Sequence, residues 1–321
     1  MTVPAFAKIN LTLRVLGVGD DRYHAVRTVL QSLALHDTLT FRAARGAFRI
    51  ECDDPACPTD RTNLVWRAAD LVWRAAGRPA RPRGVVVQLA KRIPLQSGLG
   101  GGSSDAAAAI RGLALLWRLD LPRERMRTIA GSLGADVPFF LDGGTALGLD
   151  KGDLVFPLID QPPAWVALAL PPFGVSTKEA YGWLDESAPT RGAEALRDRN
   201  SLRHRRDRRD QDSKALGVLR VLGGELSGIP ASEWGNDLEA PVARRHPEIA
   251  RLTGRLRQLG AFHAAMSGSG SAVYGLFDTR AGAQAAARGL AGPGCRTIVT
   301  RTLSRRQFDR ANRDIRRSVR T

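Results

Sequence analysis

Apolar and polar positions alternate roughly from Thr2 to Val18, with Phe6, Ile9, Leu11, Leu13 and Val15 apolar. That period of two predicts two β-segments or one bent strand. Leu39 to Ala43 and Phe48 to Cys52 read as further strands. Asn63 to Ala76 reads as a helix with Trp66, Ala69 and Trp73 on one face, a spacing that makes the tryptophans core rather than base-stacking residues. Val85 to Leu89 is a strand that runs through KRIPLQSGLGGGSS into a helix starting near Asp105. Ala106, Ile110, Leu113 and Trp117 mark its buried stripe. A short helix over Arg123 to Leu133 leads to GADVPFFLDGGTALGLDKGD, read as loops and strands near a domain boundary around residue 150. The second half predicts a strand at Trp165 to Leu170, a helix at Thr177 to Leu184 and helical structure over Leu238 to Leu259. A turn and strand within Ala264 to Phe277 and a helix at Ala281 to Leu290 complete an α+β pattern. Arg191 to Lys214 lacks periodicity and reads as a loop or disordered insertion.

The 321 residues suit one large or two ordinary domains. Lys plus Arg total 48 against 32 Asp plus Glu, a net charge of +16, and five of those 48 are lysine. Such a balance points toward polyanions, but its distribution weakens the point. Arg197 to Lys214 carries a net +4 and Arg296 to Thr321 a net +7, so eleven of the sixteen charges lie in two short segments. A nucleic-acid binder would interleave aromatics with such runs, and these two contain only Phe308. Cys52, Cys57 and Cys295 are too few and too irregular for a disulfide framework or a four-cysteine zinc site. They read as reduced thiols of a cytoplasmic protein. Lys8, Asn10 and Arg14 interrupt any signal-like apolar run, and no stretch approaches the ~18 apolar residues of a membrane span.

The chemistry concentrates in PLQSGLGGGSS, Pro94 to Ser104. Four glycines in five positions at a strand-to-helix junction let backbone approach an anion, and the helix start offers amide N–H groups with no partner in the helix. Phosphate is the natural guest. Neither the P-loop lysine nor a G-x-G-x-x-G dinucleotide pattern is present. Asp136 lies in apolar GADVPFF, where a carboxylate can accept a proton from a hydroxyl or cap a short helix. Lys8 sits in the strand-like AFAKINL, where a buried ammonium needs an anionic partner, catalytic or structural.

Together these segments resemble the GHMP kinase superfamily. AKINLTLRVLG (7–17), YH (23–24), PLQSGLGGGSSDAA (94–107), GADVPFF (134–140), GVST (174–177), NDLE (236–239) and MSGSGSAVYGLF (266–277) carry the likeness in order. Within the superfamily they look like the branch acting on 4-diphosphocytidyl-2-C-methyl-D-erythritol in the non-mevalonate route to isoprenoids. The resemblance implies a two-domain α+β fold with its active site in the cleft. Residues 1–152 would form the ATP-binding domain, 153–300 a smaller α+β domain, and 301–321 a basic extension. Pro94, Leu95, Gln96, Ser97, Gly98, Leu99, Gly100, Gly101, Gly102, Ser103 and Ser104 would hold ATP, with Mg2+ as its counter-ion. Asp136 would be the general base and Lys8 would keep it ionised and stabilise the nascent alkoxide. Tyr23 and Tyr181 would sandwich the cytosine, His24 would read its polar edge, and Asn10 and Thr177 would complete the substrate contacts. The implied reaction is ATP-dependent phosphorylation of the substrate's 2-hydroxyl. Another GHMP small-molecule kinase, acting on mevalonate-like, homoserine-like or sugar substrates, is the nearest alternative, and a basic nucleic-acid-binding protein the more distant one. LGLDKGDLV (147–155) departs from the compact glycine-rich turn usual for the superfamily at that point.

Overall fold

The structure, a computed structural model, describes residues 1–19, 23–187 and 234–317. The arginine-rich insertion expected over Arg191 to Lys214 lies outside the described residues. The chain builds one seven-stranded and one four-stranded sheet, both flanked by helices.

The alternating N-terminal segment is one continuous strand, β1 (Thr2–Val18), paired antiparallel with β2 (His24–Ala47). Its register shifts between Phe6 and Lys8, again between Asn10 and Thr12, and again between Val15 and Gly17. Val3 and Ala5 pack in the core beneath the N-terminal helices, whereas Ala7, Ile9 and Leu11 share a second core with Val166 and Leu168 of the second sheet. Lys8 and Asn10, opposite Ile9, are turned into the interlobe cavity.

Around this pair the first sheet runs β3 (Arg49–Cys52), β4 (Arg83–Ala90), β2, β1 and β8 (Gly235–Asn236), with β5 (Thr145–Leu149) joined to β2. Helix α1 (Leu64–Ala75) is capped by the Asn63 side chain, which accepts from the Val65 N–H. It buries Val65, Ala68, Ala69, Val72 and Trp73, while Trp66 stays half-buried beneath Arg61. Helix α2 (Gly101–Leu116) starts four residues before the position expected from its alanine run. At its first residue, Gly101, a Cβ would stand 3.0 Å from the Ile93 side chain, closer than most such contacts. Helices α3 (Arg123–Leu133) and α4 (Phe139–Asp142) follow.

The second sheet runs β11 (Arg296–Arg301), β7 (Trp165–Leu170), β10 (Val273–Phe277) and β9 (His263–Met266). Helix α5 (Thr177–Ser187) precedes the undescribed stretch. The single helix expected over Leu238 to Leu259 is two, α6 (Glu239–Arg245) and α7 (Glu248–Gln258), because Pro247 lacks the amide hydrogen that would continue the ladder. Helix α8 (Arg280–Leu290) packs on the same sheet.

Two expected boundaries move. Strand β6 (Leu154–Pro157) pairs with β5, so the first sheet continues beyond the expected break at residue 152. The basic tail from residue 301 is not an appendage. The Leu303 N–H donates to Ser32 O at 2.8 Å, and the last helix, α9 (Arg305–Arg317), buries Phe308 to 1 % exposure against Phe6. Charge on one face of an amphipathic helix hid this apolar anchor in the sequence. Phe308→Ala should lower the unfolding free energy by about 3–5 kcal/mol in urea titration; a loss under about 1 kcal/mol would mean that the helix is not docked.

Candidate active site

The glycine loop between β4 and α2 is fixed from both lobes. From the first sheet, the Lys8 N–H donates to Leu99 O at 3.0 Å. From the second lobe, the Ala272 N–H donates to Ser97 O at 3.0 Å and the Ser267 hydroxyl donates to Gly98 O at 3.0 Å. Gly98 and Gly100 both have φ of +74°, and a Cβ at Gly98 would lie 2.0 Å from Ser267 O. Only glycine accepts that backbone and that contact together. The following helix then points its first-turn amides into the cleft.

Lys8 is the buried cation beside this loop. Its Nζ donates to Asn10 Oδ1 at 2.7 Å and lies 3.5 Å from Asp136 Oδ2. Asn10 is itself held, donating to Thr28 Oγ1 at 2.7 Å. Asp136 stands in the turn between α3 and α4, with its side chain 38 % exposed, while that of Lys8 is 4 % exposed. The pair therefore joins a sequestered ammonium to a carboxylate that a substrate can still reach. The Tyr274 hydroxyl donates to Asn10 O at 2.8 Å, and its remaining lone pairs face His263 Nε2 at 3.1 Å, so His263 donates there as the Nε2–H tautomer. Asn236 donates to Met266 O and Gly268 O, bracing the turn that touches the glycine loop.

Lys8, Asn10, Thr28, Asp136 and the glycine loop line a cavity of about 1230 Å³. All of the residues that the sequence singled out border it except Leu99 and Ser104, which are buried beneath the loop. At its far end Tyr23 is exposed, with Lys151 Nζ 4.3 Å from its ring centroid. His24 stacks on Tyr181 at 4.5 Å, and His24 Nε2 meets Asp185 Oδ1 at 2.8 Å. In place of an open two-tyrosine slot, the structure thus has a histidine lying on Tyr181. Burial, with the charge of Asp136 added, pushes the Tyr181 phenol up to about 12, leaving it neutral. Thr177 stands 3.4 Å from the Ser269 hydroxyl across the lobes.

The sequence reading missed Lys91, Lys151, Lys178 and Asp185, all at this cavity. One signal was available. Lysine is rare here, yet Lys8, Lys91, Lys151 and Lys178, four of the chain's five lysines, border one cavity. A compact ammonium suits a crowded anion site where a guanidinium fork does not.

Comparison with known proteins places this geometry. The description "GHMP kinases N terminal domain" matches residues 63–144, and "GHMP kinases C terminal" matches residues 223–294. The 4-diphosphocytidyl-2-C-methyl-D-erythritol kinase of Moorella thermoacetica is 40% identical over 303 residues, covering 94% of this chain and 99% of that protein. Its counterpart from Gloeobacter violaceus is 40% identical over 300 residues, with 93% of each chain covered. A crystal structure of 4-(cytidine 5'-diphospho)-2C-methyl-D-erythritol kinase superposes with a TM-score of 0.71 at 33% identity, over 94% of this chain and 99% of that one. The L. major mevalonate kinase shares the fold alone, at 17% identity and a TM-score of 0.64 over 95% and 96% of the two chains.

Burial, reinforced by the Arg257 charge, lowers His263 from 6.5 to about 4. The unfolded chain binds this proton at a higher pH than the folded one does. Stability present above about 6.5 is therefore lost as pH falls toward 4. His263→Gln should flatten that part of the pH–stability curve measured by thermal melting. An unchanged slope between those values would contradict a neutral, buried His263.

Proposed function

The chain belongs to the GHMP kinase family, and we propose that it transfers the γ-phosphoryl group of ATP to the 2-hydroxyl of 4-diphosphocytidyl-2-C-methyl-D-erythritol in the synthesis of isoprenoid precursors. The observation that carries the chemistry is the Lys8–Asp136 pair, 3.5 Å apart and facing the glycine loop across one cavity. Phosphoryl transfer asks mainly for positioning and charge stabilisation. Asp136 takes the hydroxyl proton, and Lys8, buried where water screens its interactions little, stabilises both that carboxylate and the developing alkoxide. The loop from Pro94 to Ser104 and the α2 amides receive the ATP phosphates, and the first lobe is the nucleotide-binding unit.

Mg2+ accompanies ATP in this reading. Among the described residues no group of three or more His, Cys, Asp or Glu could hold a metal ion. The oxygen donors bordering the loop, Ser103 and Asp136, suit a cation carried largely by phosphate and water. When bound, it would offset charge on the β- and γ-phosphates. The cytidine end of the substrate occupies the Tyr23, His24 and Tyr181 region, where aromatic faces supply stacking and the histidine supplies polar discrimination. Stacking a base there requires the imidazole to leave the Tyr181 face. Among the described residues no helix is long and apolar enough to cross a membrane, and we assign the enzyme to the cytoplasm.

ATP consumption measured against a panel of cytidine-linked, mevalonate-type, homoserine-type and sugar substrates tests the reading. Turnover should be confined to the cytidine-linked methylerythritol; preference for any other member overturns it. Asp136→Asn should lower kcat by about 10²–10⁴-fold while an ATP analogue still binds, and undiminished turnover would remove Asp136 as the base. Tyr23→Ala should raise the KM for the cytidine substrate by about tenfold, the value of one stacked base, with the KM for ATP unchanged; equal KM values would remove Tyr23 from the base site.

A further inference from the structure

Beneath the glycine loop lies a buried charge cluster that the phosphoryl-transfer chemistry does not itself use. Lys91 Nζ donates to Asp37 Oδ2 at 2.5 Å and to Asp105 Oδ2 at 2.8 Å. The side chains of Lys91, Asp37 and Asp105 are 4%, 0% and 4% exposed. One ammonium between two carboxylates is costly to place out of water unless its geometry holds something in return.

What it holds is the two ends of the glycine loop. Asp37, near the middle of β2, also accepts the N–H groups of Arg92 and Ile93 through Oδ1, so it fixes the chain where it leaves β4. Asp105 belongs to the opening turns of α2, where the chain leaves the loop. Among the described residues Lys91 alone donates a side-chain hydrogen bond to both carboxylates, and it lies next to the start of α2, 3.4 Å from where a Cβ on Gly101 would stand. The two partners are not equivalent. Asp37 has both oxygens engaged, whereas Asp105 Oδ1 is buried with no hydrogen-bond partner. Burial pushes the Asp105 carboxyl up to about 7 despite the pull of Lys91, while the two carboxylates outweigh burial and hold Lys91 protonated. The helix end of the bridge is therefore the weaker one.

We propose that Lys91 is a positioning residue for ATP: by bridging Asp37 to Asp105 it sets the spacing between β4 and α2, and hence the curvature of the loop that receives the phosphates. This deepens the kinase reading and rests on it for the identity of the loop's guest. The cytidine region lies at Tyr23 and His24, where β2 begins thirteen residues before Asp37, and at Tyr181 on α5, away from the junction of β4 and α2 that the bridge spans.

The test reads two affinities separately, by titrating the whole protein with a non-hydrolysable ATP analogue with magnesium and, independently, with the cytidine substrate. Asp105→Ala cuts the weaker end alone and should weaken the analogue by about fivefold or more, with cytidine-substrate affinity held within about twofold. Asp105→Asn returns an oxygen acceptor to Lys91 Nζ and should restore analogue binding. Lys91→Met, which releases both ends, should exceed Asp105→Ala in its effect on the analogue. Analogue affinity unchanged in Asp105→Ala, parallel loss of both ligands, or failure of Asp105→Asn to restore binding would each overturn the proposal. Should Lys91→Met not fold, the Asp105 pair decides alone. Because these are binding measurements, they stand apart from the substrate panel: a wild-type protein that binds the analogue but phosphorylates a different alcohol defeats the assigned substrate and leaves the bridge intact.

Discussion

The site depends on the backbone of Ser97, Gly98 and Leu99, whose three carbonyls are taken from two sides: by Ala272 and Ser267 of the turn between β9 and β10, and by Lys8 of β1. A loop of glycines is entropically costly to order, and a loop meant to wrap phosphates cannot spend its amide groups on its own structure. Holding it by its carbonyls solves both problems. The carbonyls are tied to the two lobes, the amides remain directed at the cleft, and one of the bonds comes from the backbone of the lysine that partners Asp136. Positioning of the loop and of the Lys8–Asp136 pair is thus one structural fact.

That arrangement follows from β1. Its residues enter two cores, Val3 and Ala5 one and Ala7, Ile9 and Leu11 the other, so the second sheet packs directly on the strand that carries Lys8. The Tyr274 hydroxyl, reaching from the second sheet to Asn10 O, and Asn236, reaching from β8 to the Met266–Gly268 turn, close the same seam with side chains. The two lobes share a core and a hydrogen-bonded loop, which makes the cleft part of the folded body.

Much of this was legible in the sequence where the information is local. The glycine loop, the helix after it and the core face of α1 follow from composition and spacing within short windows. The proximity of Lys8 to Asp136, separated by well over a hundred residues, was not available from spacing; it entered through resemblance to a family. The Lys91 cluster was illegible for a different reason. Nothing in the local pattern singles out Asp37, Lys91 or Asp105, since a linear pattern does not reveal that three chain segments converge beneath one loop. Phe308 was lost in the same way, as a single apolar residue among arginines. That Leu154–Pro157 returns to the first sheet is a matter of strand pairing, which the sequence around Asp150–Asp153 does not encode. His24 against Tyr181 reflects a packing choice between aromatic neighbours that no spacing encodes.

The central claim is that Lys8 and Asp136 act as one unit on the substrate hydroxyl. A double-mutant cycle on kcat with Lys8→Met and Asp136→Asn measures that directly. If the pair is a unit, the double variant should be no more than about threefold slower than the slower single variant, because residues that act together are strongly non-additive. Losses that multiply across the two substitutions would show independent roles and contradict the account.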